Sequence, residues 1–291
     1  SLPIGVRIIG IIIAVLAAAY GLYAGMGNST GNFDGEMQIF ALDVGQGDSF
    51  FIISPNGKTM LIDSGESSNS KQIEQFIREK GVRQLDVVIG SHTHSDHVGS
   101  MPYLLDAFDV GKYVMSEAGL ETRIQKRINA VLEEKDIPCS YVWAGDVIDW
   151  DSDCKVTVLS PVPEFDEYSK TDWNEWSLIM RVEYANHWMI FTGDATVRSE
   201  QAAMLNNEKY LFDADVLKVP HHGSTTSSSL GFLEAVSPEY AIISVGKGNS
   251  YGHPDYDTIQ KLKQVNAEIY RTDELGTINI VFSADDIKIT Y

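Results

Sequence analysis

Six of the seven histidines fall in three short strings. The first is Ser91-His92-Thr93-His94-Ser95-Asp96-His97-Val98-Gly99, directly after an apolar run. Four ligand-type side chains within six residues cannot all reach one tetrahedral ion comfortably. In extended backbone His92 and His94 point to the same side. Asp96 and His97 fall where the chain turns, so they aim at a second ion. Imidazole with carboxylate suits zinc, and also manganese or iron. Two such ions about 3.5–4 Å apart hold a bridging hydroxide as nucleophile.

The missing ligands must come from elsewhere in the chain. Asp194, in Phe191-Thr192-Gly193-Asp194-Ala195, follows an apolar strand, where a carboxylate can bridge two cations. His221 and His222, in Val219-Pro220-His221-His222-Gly223-Ser224, follow another. Consecutive side chains of extended backbone point to opposite sides, so only one of this pair aims squarely at the metals. His253, in Tyr251-Gly252-His253-Pro254, is the last candidate, as a group touching substrate or leaving group. The seventh histidine, His187, reads as a structural residue of a hairpin turn at Ala185-Asn186-His187. Gly45-x-Gly47 reads as a tight turn that brings Gln46 and Asp48 near the histidine loop. Lys218, on the strand before His221, either neutralises a substrate phosphate or sits at a solvated strand edge. Trp173 and Trp176 read as core or pocket wall.

The elements that must carry these loops are strands with helices between them. Early strands are expected at 37–42, 50–54 and 59–62, with a turn at Pro55-Asn56-Gly57-Lys58. The 3.6-residue spacing of Ile73, Phe76 and Ile77 predicts a helix over 71–80, ended by Gly81. An apolar strand over 85–90 runs into the histidine loop, and a second amphipathic helix is predicted over 122–135. Residues 141–158 read as β. A hairpin over 177–192, a helix over 199–205 and a strand over 215–219 follow. Then come a strand over 240–245, a helix over 258–265 and closing strands near Ile269, 278–282 and 287–290. A two-layer β core with helices outside fits this alternation better than one parallel sheet.

The chain has 291 residues, of which 44% are hydrophobic and 22% charged, so most of it folds around a core. Acidic residues outnumber basic ones 41 to 22, a net charge of −19. A nucleic-acid-coating surface needs the opposite sign, which disfavours DNA as partner unless a local basic groove exists. Residues 8–33 carry no charge, enough apolar length to span a bilayer. Residues 1–27 are therefore read as a transmembrane anchor or a cleaved signal, with Ala17-Ala18-Ala19 as the small-residue site. Arg7 precedes the stretch and no Lys or Arg follows until Lys58, so the remainder is expected outside the cytoplasmic membrane. Residues 28–36 form a linker and 37–291 the catalytic domain. In that location Cys139 and Cys154 have the choice of pairing or standing as two single thiols.

The string His92-x-His94-x-Asp96-His97 resembles the signature of the metallo-β-lactamase fold superfamily. Asp63, in Leu61-Ile62-Asp63-Ser64-Gly65, matches that superfamily's earlier Asp, which braces the histidine loop. The string Leu42-Asp43-Val44-Gly45-Gln46-Gly47-Asp48-Ser49, with the Pro220–Ser224 and Tyr251–Pro254 strings, resembles the hydrolase domain of ComEC-type competence proteins. Teichoic-acid phosphorylcholine esterases are related. The resemblance covers residues 37 to about 290 and implies an α/β fold, a four-layer α/β/β/α sandwich, and the apolar stretch before it is read as one N-terminal hydrophobic helix. It implies two divalent ions, zinc first and manganese second, on His92, His94, Asp96, His97, Asp194 and His222. Resemblance to the esterases favours His222 as ligand and His221 as substrate contact. Asp96, His221 and His253 are the expected catalytic groups. Asp43, Gln46, Asp48, Asp63, Asn174, Ser177 and Lys218 are the expected supporting or substrate-contacting ones.

Hydrolases of the broader superfamily carry a third His for the first metal. Here Asp172-Trp173-Asn174-Glu175-Trp176-Ser177-Leu178 has none. ComEC-like members also show Asn and Ser there, so the His92 and His94 site is expected to be the weaker one. The implied function is metal-dependent hydrolysis of a phosphodiester outside the membrane. The rivals are a ComEC-like DNA nuclease and a non-catalytic, membrane-tethered metal-binding or partner-binding module. The sequence fixes no oligomeric state.

Overall fold

A computed structural model describes residues 35–163 and 171–291. The anchor or signal read over 1–27, most of the linker, and the acidic run at 164–168 lie outside the described residues. Among the described residues no helix is long and apolar enough to cross a membrane.

The strands in chain order are β1 (Met37–Ala41), β2 (Phe50–Ile53), β3 (Thr59–Ile62), β4 (Gln84–Leu85) and β5 (Val87–Gly90). Next come β6 (Asp109–Val110), β7 (Tyr113–Met115), β8 (Cys139–Tyr141), β9 (Lys155–Ser160) and β10 (Ile179–Tyr184). The last are β11 (His187–Phe191), β12 (Val216–Lys218), β13 (Tyr240–Ile243), β14 (Glu268–Arg271), β15 (Ile278–Phe282) and β16 (Ile287–Thr290). One sheet runs β16-β15-β1-β2-β3-β5-β7-β8 and the other β14-β13-β12-β11-β10-β9. Strands β4 and β6 form a short parallel pair beside them. Both sheets are mixed: β1, β2 and β3 are antiparallel while β3, β5, β7 and β8 are parallel.

Side-chain alternation shows why the sheets stack. In β2, Phe50 and Ile52 enter the core between the sheets, while Phe51 and Ile53 face the opposite way. In β11, Met189 and Phe191 face the first sheet and Ile190 faces outward. A strand buried on both faces needs a cover on each. Helices Ser70–Glu79, Met101–Ala107 and Arg123–Glu134 cover the first sheet with Ile73, Ile77, Leu104 and Ile128. Helices Val197–Asn206, Leu230–Val236 and Tyr256–Gln264 cover the second with Ala203, Phe232, Leu233 and Leu262. Each fully buried Phe or Ile contributes about 1.5–3 kcal/mol of transfer free energy. The result is the α/β/β/α sandwich.

Helix Ser70–Glu79 stops at Gly81, whose φ of +80° lets its N–H reach the Arg78 carbonyl at 2.9 Å. Helix Arg123–Glu134 starts at Thr122, whose hydroxyl accepts from the Gln125 N–H at 3.3 Å.

Three expectations are corrected. The stretch 141–158 is not continuous β: after β8 the chain crosses from one sheet to the other, burying Ile148 and Trp150 between them, before β9. His187 is not in the turn. Ala185 and Asn186 take left-handed φ of 51° and 66°, the twist a two-residue hairpin needs, and His187 opens β11 paired with Tyr184. Helices Met101–Ala107 and Leu230–Val236 were not expected; both are short and owe their stability to the sheets beneath them. Cys139 and Cys154 are both free thiols, the first exposed on β8 at the edge of the first sheet.

Candidate metal centre

Strand ends place the donors. Buried β5 ends at Gly90, and the following loop turns into the single helical turn Ser95–Val98. That turn carries Asp96 and His97. Asp63, just past β3, fixes it from below. Its carboxylate accepts from the Ser91 N–H at 2.8 Å and the Ser91 hydroxyl at 2.6 Å, and lies 2.8 Å from His97 Nδ1. With Nδ1–H held by Asp63, His97 presents Nε2 to the centre. That nitrogen is 3.1 Å from Asp194 Oδ1.

Asp194 follows β11. Its N–H donates to the Ser177 hydroxyl at 3.1 Å, which fixes the backbone from which the carboxylate projects. After β12, His221 and His222 are not extended; both are left-handed, with φ of 50° and 52°. Such backbone costs a non-glycine residue about 1–2 kcal/mol. Extended-strand alternation therefore does not distinguish the two, and their surroundings do. His222 is buried, its Nδ1–H donates to the Ser244 carbonyl at 2.8 Å, and its Nε2 lies 3.4 Å from Asp96 and 3.6 Å from Asp194. His221 is partly open, with Nδ1 at 3.0 Å from the Thr226 hydroxyl and Nε2 at 3.6 Å from Asp194.

Asp96, His97, Asp194 and His222 thus offer one ligand atom each, all within 4.8 Å of one another. His92 and His94 form a neighbouring pair, His92 Nε2 standing 3.1 Å from His94 Nδ1. The His92 ring lies 4.1 Å from the His97 ring. His253 stands at the rim: its ring stacks on exposed Tyr251, its Nδ1 is 3.3 Å from Asp255, and its ring centroid is 5.9 Å from that of His221. Gln46 and Asn174 line the same open pocket of about 290 Å³.

Lys218 needs correction. It is 1% exposed, pairs with buried Asp48, and donates to the Gly193 carbonyl at 2.7 Å. It is neither at a solvated edge nor within reach of a substrate phosphate; it is an internal counter-charge. Asp43 also lies away from the donors. Its carboxylate accepts from the Gly45 N–H at 3.1 Å and so shapes the turn that presents Gln46 and Asp48. Two contributors went unnoticed in the sequence. Ser91 lay within the histidine string as a visible hydroxyl, whereas Ser244 acts through its carbonyl, which has no signal in residue type.

The electrostatics explain what such a cluster demands. Burial works to raise the Asp194 carboxyl, yet His97 and His222 hold it well below the usual carboxylate range. Burial works to lower His97, yet Asp194, Asp63 and Asp48 push it well above its ordinary value. Burial likewise opposes charge on His222, and Asp194, Asp48 and Asp96 push it up to about 9. His92 is lowered well below its ordinary value by burial and by the neighbouring His97. Of the four carboxylates of Asp48, Asp63, Asp96 and Asp194, Lys218 pairs only with Asp48 and, at 3.9 Å, Asp194, so without an ion the remaining charge falls on His97 and His222. His97 Nε2, His222 Nε2 and Asp194 Oδ1 are buried with no hydrogen-bond partner among the described residues. Imidazole and carboxylate donors facing one another in that condition fit a divalent cation.

Comparison with known proteins agrees. The profile of the Metallo-beta-lactamase superfamily matches residues 42–247. ComE operon protein 3 of Bacillus subtilis (strain 168) is 33% identical over 260 residues, which cover 84% of this chain and 33% of that protein. Competence protein ComA of Neisseria gonorrhoeae is 28% identical over 256 residues, covering 88% of this chain and 34% of that one. The chain therefore spans about a third of the length of these curated relatives. Among solved structures, the metallo-beta-lactamase fold protein YhfI from Bacillus subtilis superposes with a TM-score of 0.55 at 13% identity. It covers 88% of this chain and 99% of its own, a likeness of fold alone. The chain therefore belongs to the metallo-β-lactamase superfamily, with similarity over most of its length to competence proteins of ComEC type.

Proposed function

We propose that this domain is a metal-dependent phosphodiesterase acting outside the cytoplasmic membrane. The observation that carries the reading is the convergence of three unpartnered buried donors, His97 Nε2, His222 Nε2 and Asp194 Oδ1, with Asp96. One ion, zinc or manganese, would be held by Asp96, His97, Asp194 and His222. A second would draw on His92, His94 and Asp194. When bound, such ions supply a hydroxide near neutral pH and polarise phosphoryl oxygens.

The chain's own residues do the rest. Asp63 and the Ser244 carbonyl fix the ring planes of His97 and His222, and Ser177 fixes Asp194. Burial would raise the Asp96 carboxyl, but His222 and His97 keep it below its usual range, so it stays ionised, as a metal ligand must. Burial lowers His221, leaving a neutral imidazole beside Asp194 in the lining of the open pocket, where it would hydrogen-bond the leaving oxygen while solvent supplies that oxygen's proton. His253, at the rim, contacts the group that departs.

The test is a substrate panel on metal-loaded protein: bis-p-nitrophenyl phosphate, single- and double-stranded DNA, phosphorylcholine esters and a β-lactam. Turnover of a diester, abolished by Asp194→Asn, is the expected result. Full metal content without turnover of any diester would overturn it and favour the non-catalytic module. Cleavage confined to DNA would select the nuclease reading, which the similarity to competence proteins favours and the net charge of −19 opposes. The location rests on Arg7 and the uncharged stretch after it. Protease added to intact cells should remove a C-terminal tag, and full protection until lysis would refute that part.

A further inference from the structure

A second pocket, of about 640 Å³, opens beside the metal centre and shares His94 and Ser95 with it. One wall is the start of helix Arg123–Glu134, from which Thr122, Arg123 and Arg127 line the space. The two arginines are four residues apart, hence on one helix face. Both are exposed, and neither makes a hydrogen bond or ion pair among the described residues. Among the other described arginines, Arg78 holds Glu74, Arg181 holds Glu183 and Arg271 holds Asp273, whereas Arg83 is exposed and unpaired but lines no part of this pocket. The first-turn N–H groups of the same helix add partial positive charge at the same wall. Trp173, half-buried, supplies a flat apolar surface. The one carboxylate among the described residues of the pocket, Glu66, is already engaged by the Ser95 hydroxyl at 2.8 Å.

We propose that this pocket is a phosphate-binding subsite, in which Arg123 and Arg127 take the phosphodiester next to the one being cleaved. The inference rests on the phosphodiesterase reading and deepens it. The substrate becomes a polymer of phosphodiesters rather than a small isolated ester. Two paired guanidiniums at the mouth of a strongly negative molecule form a local landing place for a polyanion that the rest of the surface repels. Polynucleotides and poly(glycerol phosphate) share this chemistry, and Trp173 separates them, because only a nucleobase stacks on an indole.

The experiment compares the full chain with an Arg123→Gln/Arg127→Gln variant on oligothymidylate, poly(glycerol phosphate) and bis-p-nitrophenyl phosphate. The ratio of kcat/KM for polymer to that for the single diester should fall about tenfold, the usual scale for losing hydrogen bonds to a charged group. An unchanged ratio would overturn the subsite. Binding of the same polymers in chelator, without turnover, decides independently of catalysis. The salt dependence of oligothymidylate affinity should flatten by about 0.7 units of slope, for the one phosphate the two arginines hold between them. Failure of all hydrolysis with this flattening would sink the phosphodiesterase reading and keep the subsite. Equal affinities and slopes for both proteins would sink the subsite. Trp173→Ala should weaken oligothymidylate alone if the polymer is a nucleic acid; equal loss on both polymers assigns the tryptophan to packing.

Discussion

Gly47→Ala should disable the metal centre without touching a donor. Gly47 has φ +138°, a region closed to most side chains. A Cβ there would fall inside the 3.0 Å that real Cβ atoms keep from the Asp96 carbonyl oxygen, with the carbonyl carbon at 3.2 Å. The neighbours cannot yield freely, since the Asp48 N–H donates to that same carbonyl at 3.1 Å and Asp48 itself is 1% exposed. Relief therefore moves either Asp96 or Asp48 by an appreciable fraction of an ångström. A misplacement of about 1 Å at a reacting centre costs about 10²-fold in rate. The backbone strain adds about 1–3 kcal/mol, which lowers the melting temperature of a domain this size by about 2–12 °C. Gly45→Ala is the control: its φ is +71°, but nothing lies within 4 Å of the added Cβ. It should lose only about 1–2 kcal/mol of stability and keep its ions. Thermal melting, elemental analysis and diester turnover read both variants. Equal metal content and equal turnover in the two would refute the argument that the Gly47 to Asp96 contact sets the ligand geometry.

His222→Ala should lose an ion together with activity, whereas His221→Ala should keep its metal content and lose turnover; elemental analysis beside kinetics distinguishes them, and the reverse pattern would exchange their roles. Lys218→Met leaves the Asp48 carboxylate buried without its counter-charge, so urea unfolding should show a loss of about 3–5 kcal/mol, largely recovered in Lys218→Met/Asp48→Leu. Both cysteines should be alkylated without reductant. Burial first, then Asp151 and Asp153, push the Cys154 thiol up to about 12, so its thiolate is scarce at neutral pH. Labelling of Cys154 should therefore accelerate about tenfold per pH unit between pH 7 and 10, and a flat profile would refute that assignment.

Local spacing made the donors legible. The string from His92 to His97 concentrates ligand types where chance does not, and Asp194 and His222 each follow an apolar strand. What spacing cannot carry is conformation after the strand. The strand before them predicts His221 and His222 extended, yet their backbone is left-handed and supported by contacts such as the His222 to Ser244 hydrogen bond, which joins residues distant in sequence. Lys218 failed for a related reason. A lysine at a strand end reads as solvated until the opposing sheet brings Asp48 onto it. The stretch 141–158 carried enough alternating apolar residues to mimic a strand, and only the gap between two sheets explains their burial. Short helices such as Met101–Ala107, with Pro102 in its first turn, give too few turns for periodicity to register.

Strand β1 lies between β2 and β15, pairing Met37 with Phe282 and Ala41 with Ile278. During synthesis it meets β2 at once, but its other neighbour is made only after nearly the whole domain has emerged. At about 5–20 residues per second that wait is roughly 10–50 s. Throughout it, Met-Gln-Ile-Phe-Ala presents an open, apolar strand edge, the kind of edge that recruits foreign strands. A chain cut short before β15 would never close that edge. The last hairpin therefore closes the β1 edge and moves the sheet's border to the short, half-buried β16, although it contributes no donor to the metal centre.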